Sequence, residues 1–301
     1  MAFHLWSAAR YGISLPPDHR FPMAKYRVLR EWVLADRSAP VGRVHDAERA
    51  GADDLTRVHS GDYVERVTEG RLGEDEVRRL GFPWSPHLVE RAYRSVGGTL
   101  AAARAALEHG VAVHLAGGTH HAFPDRGEGF CVFNDVAVAV RVLQHEGQIH
   151  RAAVIDLDVH QGHGTHAIFA DDLSVVTFSM HGRRNYPFTK VPGSFDIELE
   201  DGTGDDGYLP RLGEALPRVL AAASADLVVY LAGADPHEGD RLGRLKLSFD
   251  GLVRRDVMVL QACREVGIPV AITMAGGYGR DLEDTVRAHA NTVRVARTFA
   301  G

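Results

Sequence analysis

From residue 111 onward the chain alternates short apolar runs with longer amphipathic ones. Val111–Ala116, Ala152–Asp158, Leu173–Met180, Leu227–Ala232 and Pro269–Met274 have strand length and are almost continuously hydrophobic. Such runs predict strands covered on both faces. Between and after them, Asp135–His145, Leu209–Ala222, Phe249–Val266 and Leu282–Ala300 carry apolar residues at helical spacing. Strand then helix, repeated, predicts an α/β protein with a mainly parallel central sheet. Helices on both faces make it three-layered, α/β/α.

The first third is less regular. Phe3–Trp6 and Val41–Val44 read as short strands. Pro22–Val33 reads as a helix after a loop holding Pro16 and Pro17, and Asp54–Val67 as a helix broken at Ser60 and Gly61. Residues 69–88 read as a charged surface loop with a helical turn. Leu88–His109 is a long helix stopped by Gly110. Gly97 and Gly98 inside it lower its propensity and point to close packing. No linker, repeat or low-complexity tract interrupts the pattern, so residues 1–301 read as one domain.

Charge and cysteine content narrow the function classes. A formal charge of −6 argues against a nucleic-acid partner and is mildly compatible with a cationic substrate. No apolar run reaches membrane-spanning length, and the N-terminus has no signal-peptide pattern. Cys131 and Cys263 form neither a CxxC pair nor a disulfide framework. The expectation is a cytoplasmic protein with no membrane contact.

Polar residues gather just after the strands, where ligands bind in sheets of this kind. In AVIDLDVHQGHGT, strand alternation puts Asp156, Asp158 and His160 on one side. Ionisable groups aligned at the end of a buried strand are costly unless a cation neutralises them. A helix cap would explain one Asp, not all three groups. Asp and His ligands suit Zn²⁺, which in catalytic sites keeps about three protein ligands and an open position. His120 and His121 follow Val111–Ala116, Asp235 follows Leu227–Ala232, and Gly276, Gly277 and Tyr278 follow Pro269–Met274. Each has an ordinary reading alone: surface histidines, a cap, a turn. Four strand ends converging on such groups make a site. Neither a G-x-S-x-G elbow nor a phosphate loop is present. Cys131 is a conceivable nucleophile, though a lone Cys in an apolar setting is more often an inert core residue.

In order along the chain, GGTHHA, GFCVFND (Gly129–Asp135), DLDVHQGHGT, GADPHEGD and AGGYG resemble the zinc-dependent histone deacetylase superfamily, with its arginase–deacetylase fold. HQG and EGDRLGRLKLS (Glu238–Ser248) are most similar to the class IV branch and its bacterial relatives. The resemblance implies hydrolysis of the amide of an acylated lysine side chain, in a protein or peptide, or of a similar acylated amine. It implies zinc on Asp158, His160 and Asp235, and His120 and His121 beside the attacking water, with His121 the general base. Tyr278 would donate to the polarised carbonyl oxygen. Asp156 would pair with His120 and, with Ser179, help hold a potassium ion. Phe130 and Tyr186 match the aromatic walls of an acyl tunnel, with Gly129, Gly276 and Gly277 beside them, and Arg27 matches an internal-channel arginine. One departure stands out: His163 occupies the position where the class I branch has an Asp paired with the second histidine. Three rivals stay open: an acylpolyamine deacetylase, a two-manganese arginase-like hydrolase, and an acyl-group reader without turnover.

Overall fold

The computed structural model describes residues 3–36 and 43–300. In chain order it contains β1 His4–Ser7, α1 Lys25–Ala35, β2 Arg43–Asp46, α2 Ala52–Leu55, α3 Gly61–Glu69, α4 Glu74–Leu80, α5 Pro86–His109 and β3 Val111–His114. Then follow α6 Asp135–His145, β4 Ala152–Asp156, α7 His163–Ile168, β5 Val175–Gly182 and β6 Phe195–Leu199. The last third is α8 Asp205–Ala223, β7 Leu227–Leu231, α9 Phe249–Glu265, β8 Val270–Thr273 and α10 Leu282–Phe299. The strands form one eight-stranded sheet in the order β2-β1-β3-β8-β7-β4-β5-β6. Every neighbouring pair is parallel.

Alternation along β4 shows how the sheet is covered. Ala153 and Ile155 enter one apolar core with residues of α1, α8, α9 and α10, while Ala152 and Val154 enter another with residues of α3, α5 and α6. This is the three-layer α/β/α arrangement that continuous apolar strands require. The N-terminus of α5 is fixed by Ser85, whose side chain accepts from Leu88 N, and by Pro86 in the first turn. Gly97 and Gly98 are there for contact: a Cβ on Gly97 would strike the Glu48 carbonyl, and one on Gly98 would strike the His114 ring.

Four expectations shift. The strand expected over Ala152–Asp158 ends at Asp156, so Asp158 and His160 lie on the turn beyond it. β5 starts at Val175, leaving Leu173 outside the strand and 90% exposed. β6 was not anticipated, because FDIEL is an edge strand with little buried apolar surface. The 69–88 loop holds a seven-residue helix, α4, ended by Gly81 in the left-handed region. Of the strand expected at Val41–Val44, Val41 and Gly42 lie outside the described residues. No helix among the described residues is long and apolar enough to cross a membrane.

Candidate active site

The turn after β4 carries Asp158 and His160, and the loop after β7 carries Asp235. All three are buried, and their ligand atoms lie within 4.8 Å of one another. Protein hydrogen bonds use only part of this set. Asp158 Oδ1 accepts from His160 N at 2.9 Å and Oδ2 from Gly276 N at 2.7 Å, while Asp235 Oδ1 accepts from Val159 N at 2.9 Å. Asp235 Oδ2 is buried, receives no backbone donor, and has only His160 Nδ1 nearby, at 3.2 Å. Burial and the Asp158 carboxylate push Asp235 up to about 7. Burial acts against ionised Asp158 too, but His120 and His160 outweigh it and hold Asp158 well below the usual range. Burial lowers His160, yet its bonds with both carboxylates carry it to about 10. The carboxylates therefore call for a cation, and two carboxylate oxygens that converge on one imidazole suit a divalent metal such as zinc. A Cβ on Gly276 would overlap both carboxylates.

From the core side, Arg255 of α9 joins the two ligand-bearing turns. It is 1% exposed, donates from Nη1 to Gly233 O at 2.7 Å and Leu157 O at 3.3 Å, and pairs with Asp256 at 2.8 Å. Nothing in the amphipathic run of α9 distinguishes Arg255 from its exposed neighbour Arg254.

The two adjacent histidines have different partners. His120 Nδ1 lies 2.6 Å from Asp156 Oδ2; burial would lower its pKa, but Asp156 outweighs burial and raises it to about 9. His121 Nδ1 lies 3.1 Å from His163 Nδ1, and His163 Nε2 lies 3.2 Å from Glu128 Oε2. The Glu128 carboxylate can only accept, so His163 Nε2 carries the proton. A neutral His163 then accepts at Nδ1 from His121 Nδ1–H, which leaves His121 Nε2 with a free lone pair. Burial, then the His120, His163 and His160 rings, hold His121 well below its ordinary pKa. Burial also lowers His163. Burial opposes the Glu128 charge, but donors from His163, Tyr186 and Arg126 win and lower it to about 2. The carboxylate absent at position 163 thus stands one side chain further out, a role that no spacing in the sequence marks.

Tyr278 follows β8. Its N donates to Asp240 Oδ2 at 2.6 Å, its carbonyl accepts from Arg241 Nε at 3.0 Å, and its ring stands 6.2 Å from that of His160. Burial first, then Asp158 and Asp235, raise its pKa well above 10, so it remains a phenol. Lys25, 1% exposed at the start of α1, donates to Gly277 O at 3.2 Å and Ala275 O at 3.4 Å, with its Nζ 5.3 Å from the Tyr278 ring centroid. Arg27 does not take the expected internal position. Its side chain is 63% exposed and pairs with Glu31 at 2.7 Å. Two residues on a helix differ by about 200°, so only one of the pair can face inward. Asp156 and Ser179 are in register on β4 and β5, both buried, and Ser179 Oγ lies 2.9 Å from His181 Nδ1. Cys131 is buried, and burial pushes its thiol pKa up, so it is no nucleophile.

A cavity of about 640 Å³ opens over this cluster. His121, His160 and Tyr278 line it together with Gly129, Phe130 and Tyr186. Phe130 has φ 68, a strained conformation for an aromatic residue. Tyr186 donates its hydroxyl to Glu128 Oε2 at 2.7 Å and meets the His121 ring edge-on at 5.0 Å. Gly276 lines a smaller inner chamber with Asp158 and His160. Gly277 does not reach these walls; it packs against Ala234, Thr285 and His289. Adjoining that chamber across Phe21, Tyr26 and Phe130, a mostly apolar space of about 40 Å³ is bounded by Phe82, Leu88 and Phe133, with Arg91.

Residues 19–294 match the family described as "Histone deacetylase domain". An uncharacterized protein of Picosynechococcus sp. is 45% identical over 287 residues, covering 95% of this chain and 96% of its own. Histone deacetylase 2 of Arabidopsis thaliana is 34% identical over 272 residues, covering 86% and 70%. A crystal structure of an HDAC homolog from Aquifex aeolicus superposes with a TM-score of 0.86 at 23% identity, covering 99% of this chain and 84% of that one, which bears out the expected fold. The chain belongs to the histone deacetylase family of hydrolases.

Proposed function

We propose that this chain is a zinc-dependent deacylase, a single catalytic domain working in the cytoplasm, that hydrolyses the amide of N-acyl-lysine side chains in proteins or peptides. One observation carries the reading most: Asp158, His160 and Asp235 form a buried cluster, and its His160 lines the same cavity as Tyr278 and His121. Asp158, His160 and Asp235 would hold the zinc, which supplies Lewis acidity toward the amide carbonyl and the attacking water. His121 Nε2 takes a proton from that water and passes it to the departing lysine amine. Tyr278 donates its phenol hydrogen to the tetrahedral oxyanion. The His120–Asp156 pair keeps a positive charge beside the attacking water. Phe130 and Tyr186 grip the alkyl stem and exclude water around it. Asp156 and Ser179 would hold the potassium ion that the family resemblance implies.

The rivals find less support. A polyamine is cationic, and the cavity mouth is lined by arginines. A two-manganese hydrolase needs further bridging carboxylates beside the three clustered ligands. An acyl-group reader has no use for a polarised histidine relay. The test is turnover of a fluorogenic acetyl-lysine peptide, its loss on chelation and its return with added zinc. Full turnover by metal-free protein would defeat the reading.

A further inference from the structure

The chain as a whole is acidic, with a formal charge of −6. The mouth of the catalytic cavity is the opposite: Arg20, Arg79, Arg184, Arg241 and Arg244 line it, and no carboxylate does. These arginines come from separate parts of the chain: the segment before α1, the end of α4, the turn after β5 and the loop between β7 and α9. All five are exposed. Arg20 and Arg79 make no ion pair among the described residues, and Arg241 is spent only on the carbonyls of Tyr278 and Arg20. Arg184 and Arg244 share one carboxylate, Asp201, at 3.9 and 3.1 Å. Among the described residues, only Asp201 forms ion pairs with the mouth arginines. Glu128 is taken by Arg126, His163 and Tyr186. Asp18 makes no ion pair among the described residues, though it lines a neighbouring cavity together with Arg20.

Cations that outnumber their paired carboxylates around a concave mouth repel one another and raise the local concentration of anions. Guanidinium groups match carboxylates in a planar, two-point geometry. Chain segments that supply arginines from several directions suit an extended ligand that crosses the mouth, with negative charge on either side of the group it inserts. Phe188, 86% exposed, adds an apolar contact at the same rim, its ring 6.3 Å from that of Tyr186. We infer that the substrate is an acidic peptide segment, an acyl-lysine flanked by Asp or Glu, and that the five mouth arginines select it. This rests on the deacylase reading above.

The experiment compares three acetyl-lysine peptides of equal length, with acidic, neutral or basic residues on both sides of the lysine. Both kcat/KM and binding by fluorescence anisotropy are measured at low and high salt. The acidic peptide should exceed the basic one in kcat/KM by about tenfold or more at low salt, and the ratio should shrink as salt rises. The double variant Arg20→Glu with Arg79→Glu should collapse or invert that ratio. Equal kcat/KM and equal binding for all three peptides would overturn the inference and leave the deacylase reading intact. Preferential binding of the acidic peptide with no turnover of any peptide would do the reverse.

Discussion

Glu128→Gln tests the relay from the outermost member inward. The carboxylate accepts from His163 Nε2, Tyr186 Oη and Arg126 Nε. Gln keeps one accepting oxygen and replaces the other with an NH₂ donor. Arg126 holds Oε1, whereas His163 and Tyr186 share Oε2; with the Gln oxygen kept toward the Arg126 guanidinium, the NH₂ faces His163 Nε2, which loses the acceptor that fixes its proton there. His163 is free to carry the proton on Nδ1 and donate it to His121. That forces the His121 proton onto Nε2 and removes the lone pair needed to activate water. Losing a hydrogen bond to a charged group costs about 1.5–3 kcal/mol, so kcat should fall by about tenfold to a hundredfold. The assay is steady-state hydrolysis of an acetyl-lysine peptide, with zinc content measured beside it. KM and zinc content should hold while kcat drops. An unchanged kcat would refute the relay. Glu128 also carries a pH signature. Its folded pKa is depressed to about 2, so its stabilising contribution is complete above its ordinary carboxylate range and is lost as pH falls toward 2. Comparing acid unfolding of Glu128→Gln with the parent chain reads this directly.

Purified protein should carry about one zinc per chain, and Asp158→Ala or Asp235→Ala should lose both metal and activity by elemental analysis and peptide assay. Tyr278→Phe should lower kcat by roughly 10²–10³ with zinc content unchanged, and an active Phe variant would reduce Tyr278 to a packing residue. The apolar space that adjoins the inner chamber should accept acyl groups somewhat longer than acetyl, each buried methylene contributing about 0.8 kcal/mol. A kcat/KM that falls steadily from acetyl to butyryl would contradict this.

The central strands were legible because sheet strands covered on both faces must be apolar throughout. β6 was not, because an edge strand such as FDIEL has no such requirement. Asp158, His160 and Asp235 could be picked out because carboxylates next to buried strands need a cation. Glu128, Lys25 and Arg255 could not, since each acts on groups far away in sequence: His163, the Ala275 and Gly277 carbonyls, and the Leu157 and Gly233 carbonyls. Lys25 and Arg27 show the limit clearly. Both are cations two residues apart in the first turn of α1, and only the rotation of the helix decides which one is buried. Net charge does not report local charge either. Summed over the chain it is negative, whereas the cavity over the cluster is lined by five arginines.

His163→Asp carries the relay argument to its last step. His163 is not a solvent-facing loop residue: its side chain is 5% exposed and abuts His121. In the parent chain His121 meets a neutral ring, and burial with three imidazole neighbours holds its pKa well below 6.5. A bound zinc would disfavour an imidazolium further. Activity needs His121 unprotonated, so it is lost only as pH falls through that low pKa. The substitution puts a full negative charge beside His121 Nδ1–H, which favours the imidazolium. The acidic limb of kcat/KM should therefore move upward, by about one pH unit or more. The introduced carboxylate would also face Glu128, and two neighbouring carboxylates repel. Combining the change with Glu128→Gln leaves a single carboxylate, now in direct contact with His121, and should keep the upward shift. An acidic limb that stays in place in both variants would show that His163 packs against His121 without setting its protonation.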